Sequence, residues 1–247
     1  MNETRNHSEP TAVELLAGYS ESYDEALDQA LSVTGLAKDY FCHERLTWLG
    51  RCLEALGEQP RRGLDYGCGN GSSTPLLASM LNLREVFGVD VAPKIVAKAR
   101  EHYGANHLQF ATVSETTSSG EFDLAYCNGV FHHIEKPARP AALDYVYGRL
   151  RPGGIFSLWE NNPWSPAARY VMSRCAFDED AQMLAADETK RLLQNAGFEI
   201  LSTDFLFIFP AFLKSLRPLE RRVYKLPIGA QYQVLARKGP GGRQQPS

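Results

Sequence analysis

Asp65-Tyr66-Gly67-Cys68-Gly69-Asn70-Gly71 is the stretch that decides the reading of this chain, with Ser72-Ser73-Thr74-Pro75 directly behind it. A strand predicted over Arg62–Asp65 runs into a turn and then into a helix predicted over Pro75–Leu81. Gly67 and Gly69 let the backbone turn tightly and approach a ligand with no Cβ in the way. Gly71 clears the approach to the helix, which Ser73 or Thr74 caps with Pro75 in its first turn. The spacing is Gly-x-Gly-x-Gly after an acid. A dinucleotide fingerprint has Gly-x-Gly-x-x-Gly and holds a pyrophosphate at the helix N-terminus, and here Ser72 stands where its last glycine belongs.

Outward from this loop the texture is short apolar runs separated by helical segments, the alternation of a parallel sheet with crossover helices. Strands are expected at Glu85–Val89, Leu108–Thr112, Phe122–Cys127 and Ile155–Glu160, with helices over Lys94–Tyr103 and Arg139–Leu150 and a turn at Arg151-Pro152-Gly153-Gly154. Asp187 is the expected N-cap of a helix through Ala196, with Gly197 as its C′ residue. Two β-rich runs, Phe198–Phe209 and Ala230–Arg237, have no clear helix between them and are expected to pair antiparallel at the sheet edge. Trp164–Met183 fits no regular element and is expected to form a lid or insertion beside the site. Upstream, Phe41–Leu56 has apolar residues at helical spacing and Gly57 as its stop, preceded by a weaker helical pattern over Thr11–Leu31. The expected organisation is one domain over residues 11–238, with a helical cap at 11–57 and a core at 63–238. Residues 1–10 and the tail 239–247 lack apolar periodicity and are expected to fray.

The 247 residues carry a net charge of −3, which disfavours a nucleic-acid partner. An apolar run of the length that spans a bilayer, about 18 residues, does not occur, so no membrane insertion and a cytoplasmic location are expected. The five cysteines never fall in C-x-x-C spacing, which argues against a disulfide framework or a structural zinc site.

Ligands on an open α/β sheet bind at the carboxyl ends of the strands. There the sequence places the glycine loop, Asp90-Val91 after the second strand, Val113-Ser114-Glu115 after the third, Asn128-Gly129-Val130-Phe131-His132-His133 after the fourth and Glu160-Asn161-Asn162 after the fifth. With Leu150-Arg151-Pro152-Gly153-Gly154, this ordered set resembles the class I, Rossmann-like, S-adenosylmethionine-dependent methyltransferases, in particular the small-molecule group that includes the ubiquinone and menaquinone methyltransferases. The resemblance spans roughly Gly63–Phe198. It implies an α/β fold: a doubly wound, mostly parallel seven-stranded sheet with an antiparallel edge strand and an N-terminal helical cap. It implies S-adenosyl-L-methionine as cofactor, with Asp65 and the glycines Gly67, Gly69 and Gly71 around its methionine half, Asp90 on the ribose, and Cys68, Ser73 and Val91 also among the cofactor-binding residues. Asn128, Gly129 and Val130 are then expected to flank the methyl-transfer axis. The acid that commonly contacts adenine in this family follows the third strand in a Gly-Asp-Ala-like stretch, and Ser114 occupies that position here.

Methyl transfer from a sulfonium is an in-line displacement, so orientation supplies much of the catalysis and a base is needed only for an acceptor with a high pKa. The expected candidates are His132 and His133, and Glu160 in Trp159-Glu160-Asn161-Asn162-Pro163-Trp164, where two indoles offer flat walls for a small, partly apolar acceptor. Structural hydrogen bonding by the histidines and a simple turn at Asn161–Pro163 are the competing readings. No metal is assigned, because adjacent histidines on a helix diverge and no third ligand has metal-site spacing. Phe205, Phe207 and Phe209 alternate on one strand face and read as core, with an acceptor pocket the lesser alternative. Lys214, Arg217, Arg221, Arg222 and Lys225 read as a solvated basic face. Competing functions are a catalytically silent S-adenosylmethionine-binding partner or sensor, a nicotinamide-dependent oxidoreductase, which the glycine spacing disfavours, and an RNA methyltransferase, which the charge disfavours.

Overall fold

The computed structural model describes residues 38–239 except 117, 118, 176, 177 and 179. The expected frayed N-terminus, the Thr11–Leu31 helix and nearly all of the tail therefore lie outside the described residues. The elements in chain order are α1 (Lys38–Ala55), β1 (Arg62–Tyr66), α2 (Thr74–Met80), β2 (Glu85–Asp90), α3 (Pro93–Tyr103), β3 (Leu108–Thr112), β4 (Phe122–Asn128), α4 (Arg139–Arg149), β5 (Leu150–Asn161), α5 (Pro166–Met172), α6 (Ala186–Asn195), β6 (Phe198–Leu206), α7 (Glu220–Val223) and β7 (Gln231–Lys238).

The seven strands form one sheet in the order β3-β2-β1-β4-β5-β7-β6. All pairs from β3 to β5 are parallel, whereas β7 runs antiparallel to both β5 and β6. The antiparallel pair therefore closes the sheet at its edge as expected, with the reversed strand β7 one place in and β6 outermost. Strand order reverses between β1 and β4, and the crevice at that switch point is where such a sheet takes its ligand.

Period-two alternation sends side chains to two cores. Leu64, Ala125, Cys127, Phe156 and Leu158 join Leu143 and Val146 of α4 and Leu193 of α6 on one face. Leu124, Tyr126, Ile155 and Trp159 join Leu46, Leu49 and Leu53 of α1, Leu77 of α2 and Val96 of α3 on the other. Each fully buried aliphatic side chain of this set contributes about 1.5–3 kcal/mol, so both helical layers are held by the same strands that end at the site. α1 belongs to this second core, which fixes its N-terminal end beside the strand ends.

Several local expectations are corrected. Ser73 precedes α2 without any side-chain capping bond, and the hydroxyl that acts there is Thr74's, which donates to Asp65 at 2.7 Å. Asp187 is not the N-cap of α6. Ala185 is, and Asp187 lies in the first turn, paired with Lys190 at 2.7 Å. Trp164–Met183 does contain a regular element, α5, capped by Ser165, whose hydroxyl accepts from the Ala168 N–H at 3.4 Å. β6 ends at Leu206, because Phe207 takes a left-handed φ of +62° and breaks the expected alternation.

Candidate active site

The glycine loop after β1 is built around two carboxylates. Asp90, at the end of β2, accepts from the Gly69 N–H at 3.1 Å through one oxygen and from the Ala92 N–H at 3.0 Å through the other. These two bonds fix its carboxylate while leaving lone pairs on both oxygens for a further donor. Gly67 has φ +75°, and a Cβ there would lie 2.3 Å from a Val130 methyl, so the loop passes β4's end too closely for any side chain. At Gly69, φ +54°, a Cβ would meet nothing within 4 Å, which leaves that side of the loop open. Asp65 is buried beneath the loop with the Thr74 hydroxyl as donor. Burial raises its carboxyl to about 6, against the Thr74 bond, and the nearby Asp90 charge adds to the rise.

The other residues expected around a cofactor have mixed placements. Cys68 is buried in the α1–α3 core, so only its backbone is available to a ligand, and burial pushes its thiol far up. Ser73 is half-buried, whereas Val91 and Ser114 are exposed at the ends of β2 and β3. Ser114 shares a hydrogen bond with Thr112 at 3.0 Å, and Glu115 turns away to accept from the Thr112 N–H and from Arg100. Asn128 and Gly129, φ +66°, follow β4, and the buried Asn128 Oδ1 has no hydrogen-bond partner among the described residues. Such an atom is costly unless a ligand or water reaches it.

After Gly129 the chain makes a single 3-10 turn, Phe131–His133. Glu160 anchors it from β5. One carboxylate oxygen accepts from the N–H groups of Val130 at 3.2 Å and Phe131 at 2.7 Å, and the other faces His132 Nδ1 at 2.6 Å. The expectation that Glu160 faces an acceptor is corrected here. Its side chain is buried, its oxygens are engaged, and the role open to it is positioning. His132 Nε2 and His133 Nε2 lie 3.4 and 3.5 Å from the same Asp178 oxygen. Burial opposes a charge on His132, yet the Glu160 and Asp178 carboxylates outweigh it and hold the ring's pKa well above its usual range. His133 is pushed the other way, to about 4, by burial and then by the charge on His132.

These residues form one end of a cavity of about 220 Å³. Asn128 and Gly129 border it from the end of β4, and Phe41, Val171, Met172, Phe207 and Phe209 supply apolar walls. The walls are not the indoles expected from the sequence. Trp159 is fully buried in the core, and Trp164 is 75% exposed. Asn162 builds the turn instead, donating to the Pro227 and Gly229 carbonyls and accepting from the Trp164 N–H, while Asn161 reaches the cavity. Of the three alternating phenylalanines only Phe205 is core; Phe207 and Phe209 line the cavity, because the turn at Phe207 reorients them. The basic stretch is tied down in part, since Arg217 lies over the Tyr40 ring at 4.6 Å and Lys225 pairs with Asp204.

Three residues here carry no sequence signal. Glu220 accepts from the N–H groups of Phe207, Ile208 and Phe209 at 3.2, 3.1 and 2.9 Å and so fixes the wall-forming turn. Arg139, fully buried, donates to the carbonyls of Phe131, Ile134 and Gln182 and to Glu188, tying the histidine turn to α6. Asp178 lies in a stretch with no periodicity. A long-range carboxylate or guanidinium of this kind is recognisable only once the elements it bridges are in place.

Residues 64–154 match the family described as "Methyltransferase domain". A trans-aconitate 2-methyltransferase of Methylobacterium radiotolerans is 33% identical over 101 residues, covering 41% of this chain and 38% of that protein. The chain thus matches about half or less of the length of its first relatives. Among solved structures, an S-adenosylmethionine-dependent methyltransferase of Mesorhizobium loti superposes with a TM-score of 0.53 at 22% identity, covering 73% of this chain and 91% of that one. The Burkholderia thailandensis 1,6-didemethyltoxoflavin-N1-methyltransferase, with its substrate and S-adenosylhomocysteine bound, gives 0.57 at 21% identity over 92% of this chain and 88% of that one. At these identities the structural likeness speaks for the fold.

Proposed function

We propose that this protein, whose residues 64–154 match a methyltransferase-domain family, is a class I S-adenosylmethionine-dependent methyltransferase that methylates a small, partly apolar molecule held in the cavity beside Asn128 and Gly129. The observation that carries the proposal is the shared wall. Asn128 and Gly129 end the strand next to the glycine loop and also border an apolar cavity. A donor on the loop and an acceptor in the cavity would meet there.

The loop suits the cofactor on its own chemistry. Asp90 has lone pairs left for two ribose hydroxyls, Gly69 leaves open space, and the unpartnered Asn128 Oδ1 would accept from the cofactor's methionyl end. Asp65, buried beneath the loop, would offset a cationic group there. S-adenosylmethionine supplies a methyl group on a sulfonium, and what the chain adds is orientation, which is worth up to about 7–11 kcal/mol in favourable cases. Phe41, Phe207 and Phe209 would hold the acceptor's apolar part. At the polar end His132, already protonated between two carboxylates, acts as a donor rather than a base. His133, neutral at physiological pH, would take an acceptor proton through Nε2, and Glu160 keeps the turn that carries both rings in place.

Calorimetry tests the donor half. S-adenosylhomocysteine is expected to bind, and Asp90→Ala to weaken it by about 100-fold, the loss of two hydrogen bonds to a charged group at about 1.5–3 kcal/mol each, discounted for exposure. Unchanged affinity in Asp90→Ala would remove the cofactor assignment. For the acceptor half, His133→Gln is expected to lower kcat at least tenfold for an acceptor that must lose a proton, with S-adenosylhomocysteine affinity retained.

A further inference from the structure

The histidine turn has a geometry that methyl transfer does not require. Adjacent residues of an α-helix point about 100° apart, which is the ground on which a metal was excluded from the sequence. Here the turn is 3-10 and is pinned by Glu160, and the two imidazole rings lie with centroids 4.1 Å apart. Asp178, remote in sequence, brings a carboxylate to both. One donor atom from each of the three residues falls within 4.8 Å of the others.

The distances identify what this arrangement suits. Asp178 Oδ1 is 3.4 Å from His132 Nε2 and 3.5 Å from His133 Nε2. A charge-assisted hydrogen bond between imidazolium and carboxylate settles at about 2.7–2.9 Å, and His132 Nδ1 and Glu160 Oε2, at 2.6 Å, lie closer still. Two ligands of a tetrahedral ion with bonds of about 2.0–2.1 Å sit about 3.4 Å apart. The Asp178 separations match that edge and are longer than a charge-assisted hydrogen bond usually is. Behind the site, Glu160 Oε2 faces His132 Nδ1, the pattern in which a carboxylate holds a ligating imidazole in the right tautomer with its far nitrogen presented to the metal. Glu160 also accepts from the Val130 and Phe131 N–H groups, so that carboxylate is itself rigidly held. All three candidate ligands border the apolar cavity.

We infer that His132, His133 and Asp178 bind a divalent first-row transition metal, with zinc(II) the best fit to a two-imidazole, one-carboxylate set and a fourth position open to the cavity. The fourth position would take water or a hydroxyl, thiol or amine of the acceptor. In the metal-loaded protein both histidines are neutral ligands, and the roles of His132 as donor and His133 as proton acceptor belong to the metal-free form. The inference depends on the ligand geometry alone, and it stands or falls separately from the methyl-transfer reading.

Cobalt(II) is the probe, because a tetrahedral site gives it a visible d–d absorption that zinc lacks. After dialysis against a chelator, the full-length protein is titrated with cobalt(II) and then with zinc(II). One equivalent is expected to produce the tetrahedral band, and one equivalent of zinc to abolish it. Asp178→Asn and His133→Gln, both on partly exposed side chains, are expected to lose the band while still binding S-adenosylhomocysteine, which shows that the fold survives. Glu160→Gln is expected to keep the band and weaken affinity about 10–100-fold. No band in the wild-type protein would overturn the inference, and so would a band of unchanged intensity in both ligand variants. Wild-type protein that binds S-adenosylhomocysteine yet gives no cobalt band would leave the donor assignment intact and defeat only the metal.

Discussion

Two acids at strand ends show how far single residues can be read. Asp65 and Asp90 stand out in sequence because each sits one step from a strand end, in an order that local spacing alone reveals. What spacing did not reveal is the energetics. Burial raises Asp65 from its ordinary value of 3.8 to about 6 in the folded protein. A raised carboxyl favours the protonated folded form, so its contribution is most favourable below pH 3.8 and is lost as pH climbs to about 6. Above that, the ligand-free protein bears an ionised, buried acid. Asp65→Asn keeps an acceptor for Thr74 and is expected to stabilise the ligand-free protein at pH 7 by up to about 3 kcal/mol, with the gain vanishing near pH 4, in chemical denaturation at the two pH values. The same variant is expected to bind S-adenosylhomocysteine more weakly. A stability gain that is equal at both pH values would show that the buried charge is not its source. At Gly67 the left-handed φ and the 2.3 Å approach to Val130 act together. Gly67→Ala is expected to lower stability by more than about 1 kcal/mol, whereas an unshifted denaturation midpoint would mean that the loop can move away from β4.

At the scale of elements, strands and crossover helices are legible because hydrophobic periodicity is set by local geometry; β1 to β4 with their helices fall within a few residues of the expected positions, whereas β5 starts five residues early and takes in 151–154, expected as a turn. The departures have specific causes. Periodicity carried Phe198–Phe209 as one strand, but a left-handed residue at Phe207 ends it three residues early, and this follows from Glu220 gathering three consecutive N–H groups. The α5 helix was missed because seven residues beginning with proline give too short a pattern. The turn after β4 is a 3-10 turn held by Glu160, remote in sequence, and by Arg139 at the start of α4. Glu220→Ala is therefore expected to speed amide hydrogen exchange at Phe207, Ile208 and Phe209 at least tenfold, with S-adenosylhomocysteine affinity unchanged. Unaltered exchange at these three amides would show that the wall is held by something else. Arg139→Met, which leaves Glu188 and three carbonyls without their donor, is expected to cost about 3–5 kcal/mol in equilibrium unfolding.

Across the whole molecule the two halves of the site differ in how they are encoded. The half proposed for the cofactor is made of residues at the ends of β1, β2 and β4, so chain order alone lays them side by side at the switch point of the sheet. The acceptor half draws on α1, the β4 turn, α5, residue 178 and the segment after β6, and only the closed sheet brings these together. That difference explains why the donor was readable and the acceptor walls were not. It also explains why the tryptophans misled, since Trp159 alternates into the core and Trp164 points to solvent. Both halves meet at Asn128 and Gly129, and a crystal structure with S-adenosylhomocysteine bound tests that meeting most directly. The account predicts the ribose hydroxyls on Asp90, the amino-acid end near Asp65 and Asn128, and the sulfur turned toward the cavity lined by His133, Phe207 and Phe209. A sulfur facing away from that cavity, or a ribose bound without Asp90, would contradict it.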